Sequence, residues 1–107
     1  MHTLTPEAQR SLALHSAVAT QLHARPEWVA CSRERIARWE AQGALHPEYA
    51  ARWRAWLALP LEELCARIVD LDEEAQDMRQ TSPLTCNLHA KERWAILKRL
   101  RLERDAA

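Results

Sequence analysis

The apolar positions of this chain recur at helical spacing almost from its start. Ala8, Leu12, His15, Ala19 and Leu22 form one stripe, widened by Leu14 and Val18. Thr5 is a good N-cap before it, and Pro6 suits the first helical position. Arg25-Pro26 ends this helix and opens a second, from about Pro26 to Gln42. Its buried side is marked by Val29, Ile36 and Trp39, with Trp28 flanking. Gly43, the one glycine, falls where a left-handed C-terminal cap is expected. A third helix starts at His46-Pro47-Glu48, places Tyr49, Trp53, Trp56 and Leu57 on one side, and stops at Pro60. A short fourth helix has Leu61, Leu64, Cys65 and Ile68 as its apolar side. Asp70-Leu71-Asp72 turns the chain into a fifth, about Asp72 to Gln80, whose first-turn acids suit the helix dipole and whose Ala75 and Met78 face inward.

Pro83 closes that helix, because it disfavours the α conformation at Ser82 and has no N–H to donate. Leu84 to Leu88 reads as an irregular connection. Asn87 or His89 is then expected to cap a last helix with an apolar side of Trp94, Ile96, Leu97 and Leu100 and an opposite side of Lys91, Lys98, Arg99 and Arg104. The pattern predicts an all-α fold, a compact bundle of five to six short helices in a single helical domain over residues 1–107. Helices one and two are expected to pack antiparallel, because their connection is short.

Composition supports this reading. The chain has 107 residues, one glycine and no phenylalanine, and Ala, Leu, Arg and Glu dominate. Formal charge is zero but unevenly spread. Residues 1–57 hold seven arginines and five glutamates; residues 58–87 hold two arginines and seven acids; residues 88–107 hold six basic and three acidic groups. A neutral sum argues against strong non-specific DNA binding, which needs a positive excess. A basic end beside an acidic middle implies internal complementarity or a two-signed contact surface.

The candidate chemistry is sparse. Cys31, Cys65 and Cys86 are odd in number and not at metal-ligand spacing. They fit reduced thiols in the cytoplasm better than zinc ligands or disulfides, and no metal or cofactor is expected. No signal peptide is read at Met1–Thr5, and no window has the apolar length of a membrane span. Glu62-Glu63 and Asp72-Glu73-Glu74 read as solvated helix starts. One glycine cannot build a phosphate-binding loop. Arg10 and His15 match the Arg-x4-His spacing of helical ribonucleases of the HEPN type, but the pattern is permissive and lies in the first helix, so it reads as chance. His15 itself reads as a partner-satisfied core histidine. No catalytic residue is assigned, and the chain is not expected to be an enzyme. Trp53 and Trp56, with Arg52 and Arg54 beside them, could form a binding platform, although their spacing is that of a core face.

The layout resembles a family of small bacterial proteins that act as partners of nucleotidyltransferase toxins of the AbiEii (abortive-infection) type. The resembling residues are Leu4-Thr5-Pro6-Glu7 with Leu12, His15, Ala17 and Val18; His46-Pro47 with Trp53; Pro60-Leu61 to Leu64; and Arg79-Gln80-x-Ser82-Pro83 followed by Glu92-Arg93-Trp94-x-Ile96-Leu97. The chain departs from the pattern after Ser82-Pro83, where Leu84-Thr85-Cys86 replaces an aromatic, a small residue and glycine. It departs again before Glu92, where Ala90-Lys91 replaces Pro-Glu. These departures leave the loop's conformation open.

The resemblance implies an antitoxin-like role: a non-catalytic helical module that binds and blocks a nucleotidyltransferase toxin in the bacterial cytoplasm. Trp and Arg tend to anchor such interfaces, so the candidate partner-binding residues are Arg79, Gln80, Arg93, Trp94, Trp53 and Trp56. The second reading is a DNA-binding transcriptional regulator with the basic last helix as recognition helix, since helix five, the Ser82-Pro83 turn and helix six loosely resemble a helix-turn-helix.

Overall fold

A computed structural model describes residues 4–106. Among them are six α-helices and no strand: α1 (Pro6–Gln21), α2 (Glu27–Ala41), α3 (Pro47–Leu57), α4 (Leu61–Arg67), α5 (Glu73–Arg79) and α6 (Ala90–Ala106), with a 3-10 turn at Thr85–Asn87. None of these helices is long and apolar enough to cross a membrane.

Local chemistry sets the helix ends. The Thr5 hydroxyl accepts from the Ala8 N–H at 3.1 Å, and Pro6 follows. His46 Nδ1 accepts from the Glu48 N–H at 3.1 Å ahead of α3. Asp72 accepts from the Ala75 N–H at 2.8 Å to open α5. Gly43, at φ 71°, ends α2: its N–H bonds the Glu40 carbonyl while the Ala44 N–H reaches back to that of Trp39. This pair of bonds is the left-handed cap expected from the lone glycine.

The packing departs from expectation in one respect. α1 and α2 are not a main packing pair despite their short connection. α2 packs on α3, whereas α1 packs on α6, α5 and α4. Successive turn bonds at the junction, Arg25 N–H to the Gln21 carbonyl and Trp28 N–H to that of Arg25, redirect the chain before α2 begins. α1 also offers a face of small side chains (Ala13, Ser16, Ala17 and Thr20) against Ile96 and Leu100 of α6. A small-residue face lets the second backbone approach closely, so α6 takes the place expected for α2.

One contiguous core joins all the helices. It includes Val18 and Leu22 from α1, Ile36 from α2, Trp53 and Leu57 from α3, Leu64, Met78, and Leu84 and Leu88 from the last connection. Trp28, expected at the flank of α2, is in the core, while Val29 and Trp39 are only half-buried. Trp53 is wholly buried and meets Trp56 edge-to-face, with ring centroids 5.4 Å apart. Burying such a side chain removes roughly 200 Å² from water, and truncating it to alanine costs about 3–5 kcal/mol.

The connection after α5 is tied down rather than loose. The Asn87 amide donates to the Ser32 hydroxyl at 3.1 Å and to the Leu84 carbonyl at 2.9 Å, and Arg35 donates to the Pro83 carbonyl at 2.8 Å. With Asn87 so used, His89 stands at the head of α6. Its N–H donates to Glu92, whose other oxygen accepts from Gln21 of α1 at 3.2 Å. This is the reciprocal half of a capping box, and it ties the start of α6 to α1.

Candidate partner-binding surface

The six residues predicted to meet a partner fall into three settings. Trp53 and Trp56 are in the core. The Trp53 indole N–H donates to the Thr81 hydroxyl at 3.0 Å, and the Arg67 guanidinium covers the Trp56 ring at 4.7 Å. α3 packs against both α2 and α4, so its aromatic stripe is closed over. The platform alternative is thereby set aside.

Arg79 is also buried. Its Nη1 donates to the Asp70 carbonyl at 2.6 Å and to the Ile68 carbonyl at 3.2 Å, bracing the end of α4 against α5. Burial pushes its pKa down, and the nearby carboxylates of Asp70 and Asp72 oppose that shift. Among the described residues its Nη2 finds no hydrogen-bond partner, and neither does Nε2 of buried His15. His15 Nδ1 lies 2.7 Å from the Ser11 carbonyl, which can only accept, so Nδ1 carries the proton and Nε2 is a bare acceptor. Burial lowers the His15 pKa to about 4, against a raising contribution from the Ser11 carbonyl, and Arg79 lowers it further. His15 is therefore a neutral core group, half rather than fully satisfied. Arg10 is exposed and pairs with Glu7, so Arg10 and His15 do not share one site. Beside Arg79, Gln80 is exposed and lines a groove of about 460 Å³ between α1 and α5 with Thr5, Glu7 and Ser11.

Arg93 and Trp94 form the third setting. Arg93 is half-buried and donates to the Thr85 carbonyl at 2.8 Å, securing the turn to α6. Trp94 is 62% exposed, and Lys98 lies over its ring at 4.7 Å. The expected apolar side of α6 is thus corrected. Ile96 and Leu97 pack on the core, with Leu100 against α1, while Trp94 points the other way. At 100° per residue, Trp94 lies about 160° around the helix from Ile96. It shares its face with Lys91, Lys98 and Arg101, with Leu102 at the edge and Asp105 at the far end.

No known protein family, curated protein or solved structure matches this chain. The geometry therefore stands alone. α5 and α6 each dock on α1 and are not a packing pair, so Arg79 and Gln80 are not joined to Trp94 through a shared helix interface. All three cysteines are free: Cys31 and Cys86 are exposed, and the half-buried Cys65 thiol is pushed up in pKa by burial. Among the described residues, no three His, Cys, Asp or Glu side chains are grouped to hold a metal ion.

The sequence pattern groups Arg101 with Trp94 at helical spacing but does not bring out two further neighbours, Lys98 and Leu102. The helical angle carried the signal, since Trp94 and Ile96 are two positions apart and cannot share a face.

Proposed function

We propose that this chain is a non-catalytic protein-binding module that contacts its partner through the outer face of α6. The observation that carries this reading is the exposed Trp94. A large apolar ring stands in solvent on a helix whose apolar side chains at 96, 97 and 100 are at least half-buried, and Leu102, two turns on, is exposed with it. Isolated exposed apolar residues are ordinary, but a tryptophan flanked by Lys98 and Arg101 has the make-up of an interface anchor. The resemblance of its sequence pattern to partners of AbiEii-type toxins extends the proposal to an antitoxin-like role, in which the module binds and blocks a nucleotidyltransferase. Three free thiols suit a reducing cytoplasm.

The regulator reading draws on the same helix, because Lys91, Lys98, Arg99, Arg101 and Arg104 make no ion pair among the described residues. A helix-turn-helix requires its two helices to support one another, and α5 and α6 dock on α1 instead. That favours the protein partner.

The test is capture of the tagged chain from its host, with Trp94→Ala/Lys98→Glu as the control variant. One stoichiometric protein lost in the control supports the module, and a nucleotidyltransferase supports the antitoxin role. Nucleic acid that is released by salt would replace both with the regulator.

A further inference from the structure

The segregated charge of this chain is only partly neutralised internally: Arg67 pairs with Asp70, Asp72 and Glu74 and Arg52 with Asp77, while Glu62, Glu63 and Glu73 make no ion pair among the described residues. The acidic segment belongs to α4, α5 and their turn, the basic segment to α6. α1 packs against all three, while neither α4 nor α5 is a packing partner of α6. No ion pair joins residues 58–87 to residues 88–106 among the described residues. The two-signed surface therefore faces outward.

The exposed apolar side chains follow the same division. Three large ones stand clear of the body: Leu71 at 62%, Trp94 at 62% and Leu102 at 58%. Leu71 sits between Asp70 and Asp72, with Glu73 and Glu74 next in the chain. Arg67 gathers Asp70, Asp72 and Glu74 at 3.0–3.1 Å, which fixes the turn's shape but, with buried Arg79 behind it, sets two cations against four carboxylates. Glu73 makes no ion pair among the described residues. Trp94 and Leu102 lie on α6 about 12 Å apart along the axis, among Lys91, Lys98 and Arg101. One patch is an apolar knob among carboxylates in excess over Arg67; the other is an apolar strip among three cations, with Asp105 at its far end.

We propose that the acidic turn Asp70–Glu74 of one copy docks on the outer face of α6 of a second copy, with Leu71 against Trp94. The carboxylates around Leu71, in excess over Arg67, then oppose Lys91, Lys98 and Arg101, cations that make no ion pair among the described residues. The contact joins two different patches, so each copy keeps one of each free and association proceeds head to tail. The patches are small and their charges solvated, so the contact is weak and screened by salt. The inference does not rest on the partner-binding reading, but both use the α6 face, so self-association and partner binding compete.

Sedimentation velocity of the purified chain tests it. At low salt the average mass rises with concentration, and at high salt the chain is monomeric. Leu71→Ser/Glu73→Lys removes the acidic knob, and Trp94→Ala/Lys98→Glu removes the α6 strip. Each variant alone stays monomeric, and mixing them gives a single one-to-one complex that does not grow, because only one complementary pair of patches remains. All four positions are exposed, and unchanged helical circular dichroism confirms that both variants fold. A wild type that is monomeric throughout, association that survives high salt, or variants that fail to complement would each overturn the proposal.

Discussion

The indole N–H of Trp53 donates to the hydroxyl of Thr81 at 3.0 Å, across 28 positions of sequence. The contact fastens the end of α5 to the middle of α3 and satisfies the polar atom of a wholly buried tryptophan. Thr81 in turn donates to the Met78 carbonyl at 3.2 Å. Trp53→Phe removes the donor and leaves a void, and about 2–4 kcal/mol of stability is expected to be lost. Thr81→Val leaves the indole unpartnered and costs about 1–3 kcal/mol. Urea unfolding of both single variants and the double variant should give a coupling of about 1 kcal/mol; additive losses would mean the bond contributes nothing.

Arg79 behaves as a brace rather than a contact residue. Arg79→Ala leaves the carbonyls of Ile68 and Asp70 without their donor, with an expected loss of about 3 kcal/mol, and Arg79→Lys recovers only part of it because one ammonium replaces a planar fork. The melting temperature checks the order: wild type, then lysine, then alanine. Loss of partner binding in Arg79→Ala would accordingly report a damaged fold.

His15 makes stability depend on pH in a defined window. Its pKa is about 4 in the folded protein, against an ordinary value of 6.5. Between these values the unfolded chain binds the proton and the folded chain does not, so unfolding is favoured as pH falls. The contribution is intact above about pH 6.5, is lost progressively towards pH 4, and changes no further below that. The shift corresponds to about 3 kcal/mol. Denaturant midpoints measured from pH 7 to pH 4 should fall in the wild type and lose this component in His15→Gln. An unchanged slope in the variant would remove His15 as its source.

Gly43 holds a positive φ that L side chains adopt at a cost. An added Cβ would meet nothing within 4 Å, so the penalty of Gly43→Ala is purely one of backbone conformation. About 1–2 kcal/mol should be lost, and less in Gly43→Asn, because asparagine tolerates the left-handed region better. Equal losses for alanine and asparagine would point to a steric cause instead.

Much of the fold is legible in the residues themselves. Thr5-Pro6, Gly43, His46-Pro47 and Asp72 mark helix ends because their effects act within one turn of the chain. Leu64, Ile68, Ala75 and Met78 are buried as their spacing requires. The candidate site was less legible. Arg79 and Trp53 have the chemistry of interface anchors, and only their buried partners, the Ile68 and Asp70 carbonyls and Thr81, show them to be internal. Trp94 is both a candidate contact residue and, by hydrophobic pattern, part of the apolar side of α6; its helical angle, among Lys91, Lys98 and Arg101, agrees only with the first.

That the chain is helical, that it holds five to six helices, and where most of them start and stop can all be read from the residues alone. These properties follow from capping groups, proline, glycine and periodicity, all of which act over a few residues. Tertiary structure decided which helix covers which face: that α6 rather than α2 lies along α1, that Trp53 is enclosed while Trp94 is not, and that the acidic turn and the basic helix never meet. Periodicity shows that a helix has an apolar face, but the neighbour that covers it is chosen by the fit of side chains from distant parts of the chain.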